Sequence, residues 1–195
     1  MNNKLAVILR DQISDLNWID KIAGLVQTAN IRIKSGDDTS EKSYPISCSI
    51  SEDACLKGAY QDLCPDSKKK SIAYFEDRGL AFDRMEGNRL FYTSSLRLVC
   101  WLNLKKIQDE NCDKDVIGCG TSGDYVLEVI KKFNYVPFNS GGLYGIMIQP
   151  PSQVERSVEI FSKYTYNEEA LQYLMFPYDY FALDFTVNFM IPCLT

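Results

Sequence analysis

Histidine is absent from the 195 residues. Without it no Ser-His-Asp or Cys-His pair can form, and a proton switch near neutral pH would need a strongly shifted carboxylate or lysine. Close cysteine pairs are missing as well. Cys48, Cys55, Cys64, Cys100, Cys112, Cys119 and Cys193 are an odd set with no two at metal-ligand spacing. Structural zinc sites favour close Cys pairs or added His, and disulfide frameworks belong to exported chains. These thiols therefore read as small hydrophobes, Cys100 within a strand and Cys48, Cys55 and Cys64 around a loop. No metal or cofactor is expected. No apolar run reaches the roughly 18 residues of a membrane span, so no membrane partner is expected. The opening run is interrupted by Arg10 and Asp11 and is followed by no small-residue cleavage site, which points to residence in a reducing cytoplasm. Basic residues are also scarce: Lys and Arg total 21 against 26 Asp and Glu, a net charge of −5. Gripping phosphate backbones needs clustered cations, and Lys68-Lys69-Lys70 is the lone cluster, read as a solvated loop ahead of a strand.

What the chain does contain is an ordinary apolar fraction, 46%, rich in aromatics at 12%. The length suits one domain over 1–195, with an excursion at about 41–70 and a long loop at about 108–120. Its centre is Ser71–Ile107, read as an antiparallel meander. Ile72–Glu76 and Leu80–Met85 flank Asp77-Arg78-Gly79, and Leu90–Thr93 follows Glu86-Gly87-Asn88; both breaks hold Gly in a short polar turn. In the long strand that follows, Leu96, Leu98, Cys100, Leu102 and Leu104 share one face. Phe181–Ile191 is the natural partner. It places Phe181, Leu183, Phe185, Val187, Phe189 and Ile191 on one side, and a one-residue slip would carry Asp184 and Asn188 into the core.

Around this sheet, the apolar steps of Asn3–Gln27 predict an amphipathic helix, or two with a new N-cap at Asn17. Ile31–Lys34 and Tyr44–Ile50 predict a two-stranded edge element, and Ser51–Tyr60 a short helix. Thr121 with Asp124 resembles a capping box before a helix whose stripe is Tyr125, Val126, Val129, Ile130 and Phe133. Leu143–Gln149 and Val154–Tyr166 predict strands, and Glu168–Met175 a turn or two of helix. Gly141, Gly142 and Gly145 precede a strand, whereas a phosphate loop needs its glycines after a strand and opening a helix. The fold class expected is α+β, an antiparallel sheet meander with helices packed on one face.

Function is less legible. Tyr164, Tyr166, Tyr173, Phe176, Tyr178 and Tyr180 make a dense aromatic stretch that either fills the sheet's edge or, as residues enriched at interfaces, meets another subunit. Pro65-Asp66-Ser67-Lys68 leading into Ile72–Asp77, then Leu96–Asn103, then Pro177–Phe181 entering a terminal strand, together resemble the neck and tail-terminator proteins of tailed bacteriophages, in the style of ring components of crAss-like phages. The long Gln108–Gly120 loop and the Glu41–Lys70 excursion depart from the compact family form. The resemblance implies a non-enzymatic virion protein, made in the host cytoplasm. Its copies would form a ring in the head-to-tail neck, against neighbouring portal, neck or tail proteins. Packaged DNA would pass through without specific binding, because an acidic lumen repels phosphates. Ring closure needs two different surfaces, for which the Tyr164–Tyr180 stretch and the Ser51–Lys70 excursion are the candidates. Two other classes stay open: a small enzyme using carboxylates, with Asp77 and Asp184 first, and a monomeric module binding a peptide or glycan through the 164–180 stretch.

Overall fold

In chain order the elements are helix α1 (Asn2–Ile13) and strands β1 (Lys21–Leu25), β2 (Gln27–Ser35), β3 (Asp38–Cys48), β4 (Tyr60–Asp62), β5 (Ser71–Glu86) and β6 (Arg89–Asn103). Helices α2 (Leu104–Asn111) and α3 (Ser122–Phe133) follow, then strands β7 (Tyr144–Gln149), β8 (Val154–Glu155) and β9 (Tyr178–Pro192). A computed structural model describes residues 1–35, 38–48, 60–111, 122–151, 153–165 and 172–192. The short helix expected over most of Ser51–Tyr60, the cap at Thr121 and the first part of Glu168–Met175 lie outside these described residues.

The main sheet has six strands in the order β1-β5-β6-β9-β7, with β8 also on β9. Its frame is three long strands. β6 and β9 pair antiparallel along their whole length, from Asn103↔Tyr178 to Arg89↔Pro192, in the register the alternation demands. Phe181, Leu183, Phe185, Val187 and Phe189 are all buried. β2, β3 and β4 form a separate three-stranded sheet, larger than the two-stranded element expected.

The molecule is thus mixed α and β, roughly α+β, with helices on one face of a multi-stranded sheet. Leu5, Leu9 and Ile13 of α1 and Val126, Val129 and Phe133 of α3 join Phe75, Leu98, Leu183 and Phe185 in one core. Phe133 meets Phe185 edge to face at 4.8 Å. Trp18, between α1 and β1, ties the layer together: its Nε1 donates to Glu128 at 2.7 Å and its carbonyl accepts from the Ser71 hydroxyl at 2.7 Å. A second core on the opposite face gathers Tyr74, Val99, Trp101, Ile160, Phe161, Tyr164 and Ala182.

Four sequence expectations are corrected. The second half of Asn3–Gln27 is no helix: β1 runs parallel to β5 through Lys21↔Ile72 and Ile22↔Ala73, so the sheet is mixed. A short apolar run fits either state, and the free edge of β5 decided it. Asp77-Arg78-Gly79 is no turn. β5 continues through it with a bulge, Gly79 at φ 125°, so the expected three-stranded meander is one long hairpin closed at Gly87. Leu104–Ile107 turns into α2 instead of extending the strand, as Asn103 caps the Lys106 amide. Val154–Tyr166 keeps only two strand residues and becomes a 3-10 turn at Val158–Phe161, capped by Ser157.

Candidate interaction surface

The long strands outrun the layers that cover them. At one end of the sheet, here called distal, the N-terminus of α1 is pinned to the strands. Asn2 Nδ2 donates to Asp77 Oδ1 at 2.7 Å and its Oδ1 accepts from the Ser94 hydroxyl at 2.8 Å. Beyond this point, among the described residues, β5 pairs only with β6, since the β1 pairing ends at Phe75. Leu80, Phe82 and Met85 project there, 44%, 57% and 59% exposed. Phe82 rests edge-on against Tyr92, which stacks on Phe189, so one aromatic row crosses three strands.

The opposite face of this distal end carries a groove of about 300 Å³ whose floor and walls include Arg84, Phe91, Phe138, Met147 and Met190. The Arg84 guanidinium sits 4.4 Å from the centre of the Phe91 ring and pairs with Asp83 and Glu86, and Asp83 and Asn188 also line the groove. Gly145, at φ 60°, shapes its wall: a Cβ there would lie 3.2 Å from Met190 Cε. The β7 side comes from residues 133–154, which contain no charged side chain in a chain that is 24% charged. Tyr135, Phe138, Tyr144 and Met147 of that run are all exposed. Charge depletion with exposed aromatics and Met is the composition of an interface core. The uncharged run was readable in the sequence, and it is the signal sequence reasoning missed.

The six aromatic residues of the 164–180 stretch, read as edge filling or as an interface, divide between core and surface. Tyr164 is buried, its hydroxyl donating to Glu76 at 3.0 Å. Tyr178 stacks on Trp101 at 5.2 Å, Tyr180 meets Phe161 edge-on at 5.3 Å, and the Tyr173 carbonyl accepts from Trp101 Nε1 at 2.6 Å. These four pack in or against the second core. Phe176 alone among the described members projects fully, 90% exposed, and Tyr166 lies outside the described residues.

The carboxylates named for an enzyme do not meet. Asp77 faces α1, whereas Asp184 lies on the other face in a two-pronged pair with Arg97, Nε to Oδ1 at 2.8 Å and Nη2 to Oδ2 at 2.7 Å. The Arg97 guanidinium holds the Asp184 carboxyl below its ordinary value. Arg97 also reaches Glu155 at 2.9 Å, and the nearly buried Glu76 is paired with Lys163 at 2.6 Å. These ion pairs fasten residues 154–164 across the sheet. Burial pushes the Cys64 and Cys100 thiols up, away from a reactive thiolate. Among the described residues, no three Cys, Asp or Glu side chains converge as a metal site. Searches of family models, of curated proteins and of solved structures return no match to this chain.

Proposed function

We propose that this chain is a structural virion protein whose copies close into a ring in the head-to-tail neck of a tailed phage, beside portal, neck or tail proteins. The observation that carries the assembly role is the distal end of the sheet. There, among the described residues, β5 leaves an open edge with Leu80, Phe82 and Met85, and across the sheet the uncharged run exposes Phe138, Tyr144 and Met147 at the same end. An open edge with exposed apolar side chains is a pairing surface that a monomer has reason to cover. The neck setting rests on the sequence resemblance. A net charge of −5 supports a lumen along which DNA slides, because like charge weakens adhesion to phosphates. Asp77 and Asp184 on opposite faces give the carboxylate-enzyme reading no shared centre.

The test is sedimentation at several protein concentrations, negative-stain imaging of the largest species, and labelling of this chain in purified virions. Ring particles in solution, with label at the neck, are the expected result. A chain that is monomeric at every concentration and missing from virions would overturn the proposal.

A further inference from the structure

We infer that Phe176 of one copy seats in the distal groove of the next, among its Phe91, Phe138, Met147 and Met190. This rests on the reading that the chain assembles with itself, and it names the two surfaces that meet. Phe176 is the most exposed large apolar side chain among the described residues, at 90%, with Met175 beside it at 68%. An aromatic ring projecting into water is costly alone and is the anchor type that interfaces bury in pockets. The groove offers it the apolar surfaces of Phe91, Phe138, Met147 and Met190, with the polar Asp83, Arg84 and Asn188 also in its lining and Arg84 held by Asp83 and Glu86, and its volume of about 300 Å³ is ample for one aromatic side chain.

Placement decides who the occupant is. Phe176 precedes the start of β9, where Tyr178 lies opposite Asn103, while the groove lies where Met190 faces Phe91. From Tyr178 to Met190 the extended strand covers about 40 Å at roughly 3.3 Å per residue. Phe176 cannot reach the groove of its own chain, whereas a second copy carries the matching ring. Knob and groove are different surfaces, so the contact is heterologous, the kind that generates a closed ring when the rotation between copies allows. The groove thereby takes the place of the Ser51–Lys70 excursion as counter-surface to the aromatic stretch.

The experiment compares the parent chain with Phe176→Asp and Phe138→Asp, two exposed positions, by analytical ultracentrifugation, with circular dichroism to confirm folding. Met147→Asp serves as a second groove variant should Phe138→Asp fail to fold. The parent should assemble, and each variant alone should sediment at the 22.3 kDa of one chain. An equal mixture of knob and groove variants retains one intact pair of surfaces, so it should yield a species of twice that mass. If Phe176→Asp assembles like the parent, or the mixture stays monomeric, the inference is overturned while self-assembly of the parent stands. A parent that is monomeric throughout overturns the inference together with the assembly reading.

Discussion

Arg97 ties β6 to both β8 and β9 on the non-helical face. Only 15% exposed, it stands between Glu155 and Asp184, so removing it strands two carboxylates at once. Hydrogen bonds to charged groups contribute about 1.5–3 kcal/mol, and Arg97→Ala should cost about 2 kcal/mol, lowering Tm by roughly 4–8 °C in thermal unfolding. The pH dependence has a definite sign. Asp184 has a folded pKa depressed by Arg97, so its contribution is complete above the ordinary value of 3.8 and is lost as pH falls through the depressed value. Because half of the Asp184 side chain meets solvent, the contribution is small, within the range of about 0–1 kcal/mol for surface pairs. A Tm series from pH 6 down to the acid limit should be flatter for Asp184→Asn than for the parent, and identical slopes would refute this account.

Among the elements, β9 carries the fold. It pairs with β6, β7 and β8 and supplies five fully covered apolar side chains to the helical core. Phe185 touches Phe133 of α3 and is 2% exposed, so Phe185→Ala should cost about 3–5 kcal/mol in urea unfolding, whereas Phe176→Ala should leave monomer stability within about 0.5 kcal/mol. Truncation before Phe185 removes half of the strand and should abolish cooperative unfolding. The β5 bulge makes a separate prediction. Gly79 at φ 125° has no nearby side chain in its way, so the effect of Gly79→Ala is backbone strain alone, about 1–3 kcal/mol. A variant as stable as the parent would show that the bulge relaxes freely. Both β9 and α3 were legible from periodicity. The bulge was not, because Asp77-Arg78-Gly79 has turn composition, and only the continuous β6 partner holds it extended.

For the whole molecule, charge and shape act together. With net charge −5 and no His, the chain has no imidazole side chain to turn positive near neutral pH. Duplex DNA at physiological salt should therefore migrate unshifted in its presence, and a retarded band would remove the support that an acidic lumen gives to the neck proposal. The distal end joins an open strand edge to an uncharged surface, features that belong to opposite edges of the sheet and are brought onto one end only by the strand order β5-β6-β9-β7. In the sequence, residues 80–85 and 133–154 are remote from each other.

The sequence by itself determined which side of β6, β9, α1 and α3 is buried, because that follows from side-chain period along a single segment. Tertiary structure alone decided that Lys21–Leu25 is a strand, that Asp77–Gly79 bulges, and that Tyr164, Tyr173, Tyr178 and Tyr180 turn inward while Phe176 turns out. Each of these depends on what distant residues lay alongside: a free edge of β5, an unbroken β6, and the face of Trp101 offered as a packing partner. Local pattern carries no record of such neighbours, and therefore the gathering of exposed apolar side chains at the distal end became visible only once the strands were side by side.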